Sequence, residues 1–256
     1  RLEKNEKLPL ITSCCPGWVQ FCEKKHPEFL ENISTCRSPM QMMGSLIKEQ
    51  NKEAEQKMFH VAVMPCTAKK FEASRPEFMK DGQPDVDAVI TTQELILMIK
   101  ESGLVFDELE PEAVDMPFGA ISGAGVIFGV TGGVMEAALR FALAELDPEN
   151  ARSVKFSSLR ESSVFKEKTV KIGDKEIRVA VVSGLKNARK LLDDIKAGKN
   201  KYDFIEVMSC QGGCVAGAGT LLPVELAAKV VGRYQSEAKR ESPMDSEYKD
   251  QGKALE

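Results

Sequence analysis

Seven cysteines stand in this chain, and five of them lie in three short loops that each follow an apolar run. The third loop is the most distinctive, because Cys210 and Cys214 flank a Gly-Gly pair at the end of an apolar segment. Glycine adopts a positive φ without a steric penalty, so the backbone turns tightly and both thiols can face one object. Glycine also lets backbone N–H groups approach a cluster sulfur or an anionic ligand. Two thiols four residues apart on such a loop indicate metal binding.

The same arrangement occurs twice upstream. One apolar run ends in the adjacent pair Cys14 and Cys15, and another, rich in β-branched residues, ends in Cys66. In open α/β sheets, ligands bind in the crevice beyond the carboxyl ends of the strands. Three strand ends would therefore bring four thiolates to one place. The four are Cys66, Cys210, Cys214 and either Cys15 or Cys14. Four thiolates suit either a cubane iron–sulfur cluster or a structural zinc ion.

Composition narrows the class of protein. The 256 residues are 43% hydrophobic and 29% charged, as is ordinary for a soluble globular protein of one large domain or two small lobes. A formal net charge of −4 gives no electrostatic case for nucleic acid. No apolar run approaches the roughly 18 residues of a membrane span. An odd number of cysteines favours metal binding or thiol chemistry in a reducing compartment over a disulfide framework.

Strand-like runs alternate with helical patterns, which predicts an α/β fold. A hairpin is expected across Gly173 and Asp174, with strands over 168–172 and 176–182. Helices are predicted over 17–30, from 38, over 93–101 after a Thr92 cap, and over 134–146, 185–197 and 223–234. We expect two lobes of mainly parallel or mixed sheet flanked by helices, with a seam near residues 91–133 and the metal site in the cleft. Residues 1–235 would form this domain, and residues 236–256 a polar C-terminal tail.

A second glycine-rich segment, residues 122–133, leads into a predicted helix. Such a loop can cradle a phosphate, but this one matches neither a Walker A motif nor a clean dinucleotide fingerprint. Close backbone approach to a buried site is therefore favoured over nucleotide binding.

Three ordered motifs resemble the signatures of the catalytic domain of iron-only ([FeFe]) hydrogenases. They are TSCCPGW at 12–18, MPCTAKKFE at 64–72 and EVMSCQGGCVAGAG at 206–219. The segment SGAGVIFGVTGGVMEAALR at 122–140 is also similar to the family. The resemblance covers nearly the whole chain apart from the polar tail. It implies an oxidoreductase of anaerobic hydrogen metabolism that reversibly oxidises H2 to protons and electrons.

The resemblance also implies the cofactor, called the H-cluster. This is a [4Fe-4S] cubane joined through one cysteine sulfur to a two-iron subsite that carries CO, cyanide and a bridging dithiolate. The cysteines that resemble its cubane ligands are Cys15, Cys66, Cys210 and Cys214. Of these, Cys214 resembles the bridging ligand.

Further roles are implied by position. Cys14 resembles the thiol that passes protons to and from the bridging amine, Lys69 the residue that hydrogen-bonds a cyanide, and Ser34 a member of the proton path. A lysine is a compact cation suited to an anionic ligand at a buried site, and a dry site needs a proton relay. The residues that resemble the wall of the two-iron subsite are Met64, Met208, Phe128 and Gly129.

Plainer interpretations exist beside each role. Taken by themselves, the four cluster cysteines are also compatible with small hydrophobic residues of a core. Cys14 is compatible with a spare thiol beside a ligand, and Lys69 with a solvated lysine at a helix start. Ser34 is compatible with a turn or capping residue. The residues interpreted as structural, or assigned no role, are Cys22, Cys36, His26 and His60.

The sequence also departs from the family pattern. Ala218 stands where the family usually has the second of three glycines, and Met40 stands where it often carries Gln near the two-iron subsite. The chain starts at Arg1, without the first segment of the family's domain and without ferredoxin-like cysteine motifs. We therefore expect a fragment or processed subunit that is inactive alone.

Competing functions are an H2-sensing homologue with little turnover and an iron–sulfur scaffold that holds a cubane without the two-iron subsite. A complete relay argues against the sensor, and Lys69 with the two methionines argues against the scaffold. The expected partner is an electron carrier such as ferredoxin, a partner iron–sulfur domain or subunit, or an NAD-linked acceptor, with no nucleic acid and no membrane span. The expected location is the cytoplasm, or the periplasm if a targeting signal lies outside the fragment.

Overall fold

The computed structural model describes residues 1, 4–55, 58–115, 121–149, 151, 156–160 and 164–238. The strands are Leu10–Ile11 (β1), Val61–Met64 (β2), Met79–Lys80 (β3), Gln83–Pro84 (β4), Ala88–Thr91 (β5), Phe165–Ile172 (β6), Lys175–Ser183 (β7) and Phe204–Met208 (β8). The α-helices are Pro16–Lys25 (α1), Pro39–Gln50 (α2), Ala68–Ala73 (α3), Thr92–Glu101 (α4), Gly123–Val126 (α5), Gly133–Leu146 (α6), Leu185–Lys196 (α7) and Val224–Glu237 (α8). Helices and strands mix along the chain, and the predicted α/β class is confirmed.

The main sheet has the strand order β1-β8-β7-β6. Strand β8 runs parallel to both β1 and β7, and β6 is antiparallel to β7. Side chains alternate between the two faces of a strand. On β7, Ala180 and Val182 therefore join one core cluster, while Val179 and Val181 join another. Both faces of this sheet are buried, which leaves its strand ends as the place where loops can build a site.

Different helices cover the two faces. On one face, Trp18 of α1 and Leu192 of α7 pack in the cluster that contains Ile205 of β8. On the other, α6 contributes a stripe of buried residues with helical spacing, namely Met135, Leu139 and Leu143. Burying each such side chain contributes about 1.5–3 kcal/mol of hydrophobic stabilisation. These cores fix the position of β8 and hence of the cysteine loop that follows it.

A second, two-stranded sheet positions the middle cysteine loop. Strands β2 and β5 are parallel, with Met64 opposite Thr91. Ala62 and Met64 pack against a small apolar cluster that contains Met40 of α2, whereas alternate residues of β2 are exposed. Strand β2 therefore ends at Met64 with one face anchored, two residues before Cys66.

The predicted hairpin is confirmed as β6 and β7, with Ile172 opposite Lys175. Two predicted boundaries are wrong. Helix α1 ends at Lys25 rather than near residue 30, because Pro27 starts a separate 3₁₀ turn. The N-cap of α4 is Thr91, one residue before the predicted cap, and it forms a capping box with Glu94.

The C-terminal helix α8 runs to Glu237, past the predicted end of the domain at 235. Residues 239–256 of the predicted tail lie outside the described residues, and the seam near 91–133 stays a prediction. In the described ranges, no helix combines the length and apolar character needed to cross a membrane.

Candidate metal centre

The first cysteine loop is fastened to the end of β8. Thr12 Oγ1 accepts a hydrogen bond from Val207 N at 3.1 Å, and Trp18 Nε1 donates to the Thr12 carbonyl at 3.1 Å. These bonds fix the chain as it leaves β1, so that Cys15 becomes the N-cap residue of α1. Its sulfur lies 3.2 Å from Ser209 Oγ and accepts a hydrogen bond from Ser209 N at 3.4 Å. The first and third loops are therefore in direct contact.

The second and third loops meet at the carbonyl of Pro65. Gly219 N donates to this oxygen at 3.0 Å, and a Cβ atom on Gly217 would lie only 2.1 Å from it. Ala218, between the two glycines, is exposed. Its departure from the family's three glycines is therefore accommodated, because its methyl lies on the solvent side of the turn while Gly217 and Gly219 make the close contacts.

Cys15, Cys66, Cys210 and Cys214 are free thiols on these three loops. Burial, reinforced by the neighbouring thiols Cys15 and Cys66, raises the pKa of Cys214 to about 12. Burial and the same two neighbours also raise the pKa of Cys210. Groups that raise one another's pKa lie within electrostatic reach. The prediction that three strand ends deliver their cysteines to one place is consistent with this arrangement.

This donor set fits a cubane better than a structural zinc ion. Over the described part of the chain, no three His, Cys, Asp or Glu side chains form a group that could hold one metal ion. A zinc site needs four ligands within about 2.0–2.3 Å of a single centre. An iron–sulfur cubane takes four cysteines on several irons, and a bound metal stabilises thiolates that repel one another when the metal is absent.

Cys14 and Lys69 line the same site. Burial, followed by the charge of Glu206, raises the pKa of the Cys14 thiol well above its usual range, while Lys69 acts in the opposite direction. The Lys69 ammonium donates to the Cys14 carbonyl at 3.1 Å and to Glu72 Oε2 at 2.8 Å. Lys69 is only 5% exposed, so its interpretation as a solvated lysine is wrong.

The glycine-rich segment 122–133 reaches the third loop. A Cβ atom on Gly213 would lie 2.9 Å from the Gly129 carbonyl oxygen, and Thr131 N donates to the Gly212 carbonyl at 3.1 Å. The close backbone approach predicted for this segment is therefore present. Phe128 and Gly129 lie in the stretch that contacts the residue before Cys214.

The two methionines occupy equivalent places. Met64 ends β2 and Met208 ends β8, and each precedes a cysteine of the set by two residues. Met208 is 2% exposed and Met64 is half-buried. Their placement fits the predicted wall, whose contact with a cofactor stays a prediction.

Ser34 lies beside the first loop without a hydrogen bond to Cys14 among the described residues. Its hydroxyl accepts from Cys36 N at 3.2 Å, which is the behaviour of a turn residue. Ser34 also lines a cavity of about 300 Å³ that it shares with Ser13 and Glu72. The structure thus places Ser34 next to the loop that carries Cys14, and a role in proton transfer stays a prediction.

Two neighbours on α2 have different surroundings. Met40 packs in the apolar cluster with Val86 and Val89. Gln41 is fully buried, and neither atom of its side-chain amide has a hydrogen-bond partner in the described part of the chain. Buried amides are normally satisfied. Gln41, one turn beyond Ser38, therefore offers a donor and an acceptor to a bound polar group.

Sequence reasoning missed Glu206, a carboxylate inside the apolar strand β8. Its two oxygens accept hydrogen bonds from Gly132 N and Met135 N, each at 2.6 Å, at the start of α6. The N-cap of α6 is Gly132, with φ 87° and no side-chain cap of its own. Glu206 therefore caps α6 from another element. The sequence did contain one indication of this role, namely a single acidic residue within an apolar strand. All five residues of β8 are buried, and a buried carboxylate needs hydrogen-bond partners.

Glu206→Gln is expected to change how stability depends on pH. Burial raises the pKa of Glu206 to about 7, although the backbone donors act against the rise. The folded chain then binds this proton more tightly than the unfolded chain. The protonated carboxyl therefore contributes fully to the unfolding free energy below about pH 4.5, and this contribution is lost as the pH rises through about 7. Relative to the Gln variant, the wild type should lose up to about 3 kcal/mol of unfolding free energy over that interval.

Urea unfolding of the metal-free protein from pH 4.5 to 8 measures this difference. Parallel pH profiles for the two proteins would contradict the assignment. A Glu167→Gln variant provides the control, because Glu167 is exposed and the pKa of its carboxyl is lowered by hydrogen bonds from Tyr202 and Arg178.

Known proteins are similar to this chain in sequence and in fold. Residues 1–218 match the family described as "Iron only hydrogenase large subunit, C-terminal domain". The periplasmic [Fe] hydrogenase large subunit of Nitratidesulfovibrio vulgaris is 46% identical over 225 residues, which are 86% of this chain and 53% of that protein. Cytosolic iron-sulfur assembly component 3 of Rattus norvegicus is 37% identical over 256 residues, covering 94% of this chain and 54% of that protein. The chain thus spans about half the length of these curated relatives.

A solved structure agrees in fold. A variant of apo [FeFe]-hydrogenase HydA1 from Chlamydomonas reinhardtii superposes with a TM-score of 0.79 at 33% identity, over 99% of this chain and 72% of that one. The sequence match and the shared fold cover the same three cysteine loops. The chain therefore belongs to the iron-only hydrogenase large subunit family, which it matches over the C-terminal domain.

Proposed function

We propose that this chain forms the catalytic domain of an iron-only hydrogenase, which interconverts H2 with protons and electrons. The observation that carries the proposal is the buried ammonium of Lys69, held against the carbonyl of Cys14 next to the four thiols. Glu72 balances the charge of this ammonium, and the bonds to Glu72 and Cys14 leave a third N–H donor without an acceptor among the described residues. An additional anionic group beside the cubane would account for it.

Four residues would hold the cubane, namely Cys15, Cys66, Cys210 and Cys214, with Cys214 shared by the two-iron subsite. When bound, the H-cluster supplies the iron at which H2 is bound and cleaved. Lys69 would donate a hydrogen bond to a cyanide ligand. The side chains of Met64, Met208 and Phe128, with Gly129, would exclude water from the two-iron subsite.

Cys14 would hold and release the proton at its Sγ atom. It is half-buried within electrostatic reach of Cys214, and the preceding residue, Ser13, lines the cavity that Ser34 shares. A proton leaving Sγ would move toward this cavity, where water and Ser34 could accept it. The chain's own contribution to turnover is therefore an ordered thiol, a fixed cation and an apolar wall.

Iron–sulfur assembly is the second candidate function, and an H2-sensing homologue with little turnover is a third. The similarity to cytosolic iron-sulfur assembly component 3 supports the second candidate. The higher identity to the periplasmic hydrogenase, 46% against 37%, favours turnover of H2. The electron partner would be ferredoxin, another iron–sulfur domain or subunit, or an NAD-linked acceptor. Cytoplasm and periplasm both remain proposals, because the relatives divide between them.

The deciding experiment combines infrared spectroscopy with an H2 assay. The full-length protein would be made anaerobically, reconstituted with iron and sulfide, and matured with a synthetic two-iron precursor. We expect CO and cyanide stretching bands together with H2 turnover. A cubane signal without those bands would overturn the hydrogenase proposal and favour assembly, and bands with negligible turnover would favour the sensor.

A further inference from the structure

We propose that Glu72 is a positioning residue that fixes the Lys69 ammonium for contact with an anionic ligand of the cofactor. This inference deepens the proposed function and rests on it. It assigns a role to a carboxylate that otherwise has no part in holding the cluster or moving a proton.

The Lys69–Glu72 pair is buried. Its N–O distance is 2.8 Å, and the two side chains are only 6% and 5% exposed. The partners are at positions i and i+3 of α3, so both side chains lie on one face of this short helix. A buried ammonium without a counter-ion is strongly disfavoured, and the removal of one partner of such a pair leaves the other uncompensated. Glu72 therefore keeps a cation inside the site.

Glu72 is itself anchored from a second helix. The hydroxyl of Ser38 donates to Glu72 Oε2 at 2.9 Å. Ser38 is the N-cap of α2 and is 2% exposed. The same carboxylate oxygen thus receives bonds from both Lys69 and Ser38, and it cannot move without breaking a contact to α2.

The ammonium is held from two sides. Lysine has a flexible four-carbon stem and three N–H donors. Among the described residues, Lys69 uses donors toward Glu72 Oε2 and the Cys14 carbonyl. These two bonds fix the nitrogen between α3 and the first cysteine loop and leave a third donor for a ligand of the cofactor.

The next residue of α3, Lys70, forms an ion pair with Glu94 of α4 that is a natural control. Lys70 and Glu94 are 2.6 Å apart, but their side chains are 43% and 45% exposed. Exposed pairs are screened by water and hold a side chain weakly. Glu94→Gln removes this charge and keeps a residue that can complete the capping box with Thr91. It changes a carboxylate next to α3 without changing the environment of Lys69.

The first test measures the reactivity of Lys69 in the protein without its cofactor. Wild type, Glu72→Gln and Glu94→Gln are treated with an amine-modifying reagent, and modification of Lys69 is followed by mass spectrometry. We expect Glu72→Gln to label Lys69 about tenfold faster or more, because a charge-assisted hydrogen bond no longer restrains it. Glu94→Gln should match the wild type at Lys69. Equal labelling in all three proteins would overturn the proposal.

The second test uses the matured protein and its cyanide stretching bands. The cyanide bands should be retained in Glu72→Gln, with at least one of them shifted or broadened relative to wild type and to Glu94→Gln. If Glu72→Gln labels Lys69 faster but leaves the cyanide bands unchanged, Glu72 does not position Lys69 for contact with the cofactor. That result would overturn the proposed positioning role. If the wild type itself shows no cyanide bands, the proposed function fails, and the labelling experiment still decides whether Glu72 restrains Lys69.

A milder variant keeps the proposal testable if Glu72→Gln folds poorly. Ser38→Ala removes the anchor of the carboxylate but leaves the ion pair intact, at the cost of an N-cap. It should show a smaller change in the same direction in both experiments. A Ser38→Ala variant that labels Lys69 as slowly as the wild type would contradict the anchoring role.

Discussion

Gly217→Ala is expected to separate the second cysteine loop from the third. The added Cβ would lie 2.1 Å from the Pro65 oxygen and 2.9 Å from its carbonyl carbon. Both are backbone atoms, so no side-chain rotation relieves the overlap. The loop must shift, which should lower the unfolding free energy by about 3 kcal/mol. Because this contact lies between Cys66 and Cys214, iron affinity should fall about tenfold or more.

Urea unfolding of the cluster-free protein and the iron and sulfide content after reconstitution measure the two effects. Ala218→Gly is the matched control, because its methyl is exposed and lies in the same turn. Gly232→Ala controls for the added methyl itself. Apart from the backbone of α8, no heavy atom of the described residues lies within 4 Å of where that methyl would be, so stability should rise by up to about 1 kcal/mol. A Gly217→Ala variant with wild-type iron content and stability would contradict the described junction.

The sequence was sufficient to predict elements whose signals are local. The β6–β7 hairpin follows from alternating apolar residues on either side of Gly173 and Asp174. The buried stripe of α7 follows from helical spacing of Ala188, Leu191 and Leu192. Each cysteine loop could be placed at the end of an apolar run because a strand and a glycine turn are both readable within about ten residues.

Contacts between distant segments could not be predicted in the same way. Nothing near Glu206 indicates that its carboxylate caps a helix more than 70 residues earlier in the chain. The i, i+3 spacing of Lys69 and Glu72 is visible, but the burial that gives their pairing its importance depends on α2 and the first loop. The same limit left the first thiol ligand open between Cys14 and Cys15, because adjacent residues differ only in how the fold orients them.

Cys14→Ala is expected to abolish most H2 turnover while leaving the cofactor in place. The half-buried Cys14 thiol lies within electrostatic reach of Cys214, and the Cys14 carbonyl accepts a hydrogen bond from Lys69. Loss of a positioned proton-transfer group lowers rates by about 10²–10⁴-fold. The main-chain carbonyl survives the substitution, so the anchoring of Lys69 should survive with it. The H2 assay, the iron content and the infrared bands are measured on the same matured sample of the full-length protein.

Cys36→Ala is the matched control, because Cys36 is an exposed thiol in the turn after Ser34 and should leave all three measurements unchanged. The pattern of loss separates the possible roles of Cys14. Turnover lost with bands and iron retained assigns proton transfer to Cys14. Iron lost together with turnover would make Cys14 a cubane ligand in place of Cys15, whose sulfur contacts Ser209 in the third loop. Full turnover in Cys14→Ala would contradict the proposed role of Cys14. The proton path would then run through other groups, because the remaining four thiols near the site would be occupied as cubane ligands.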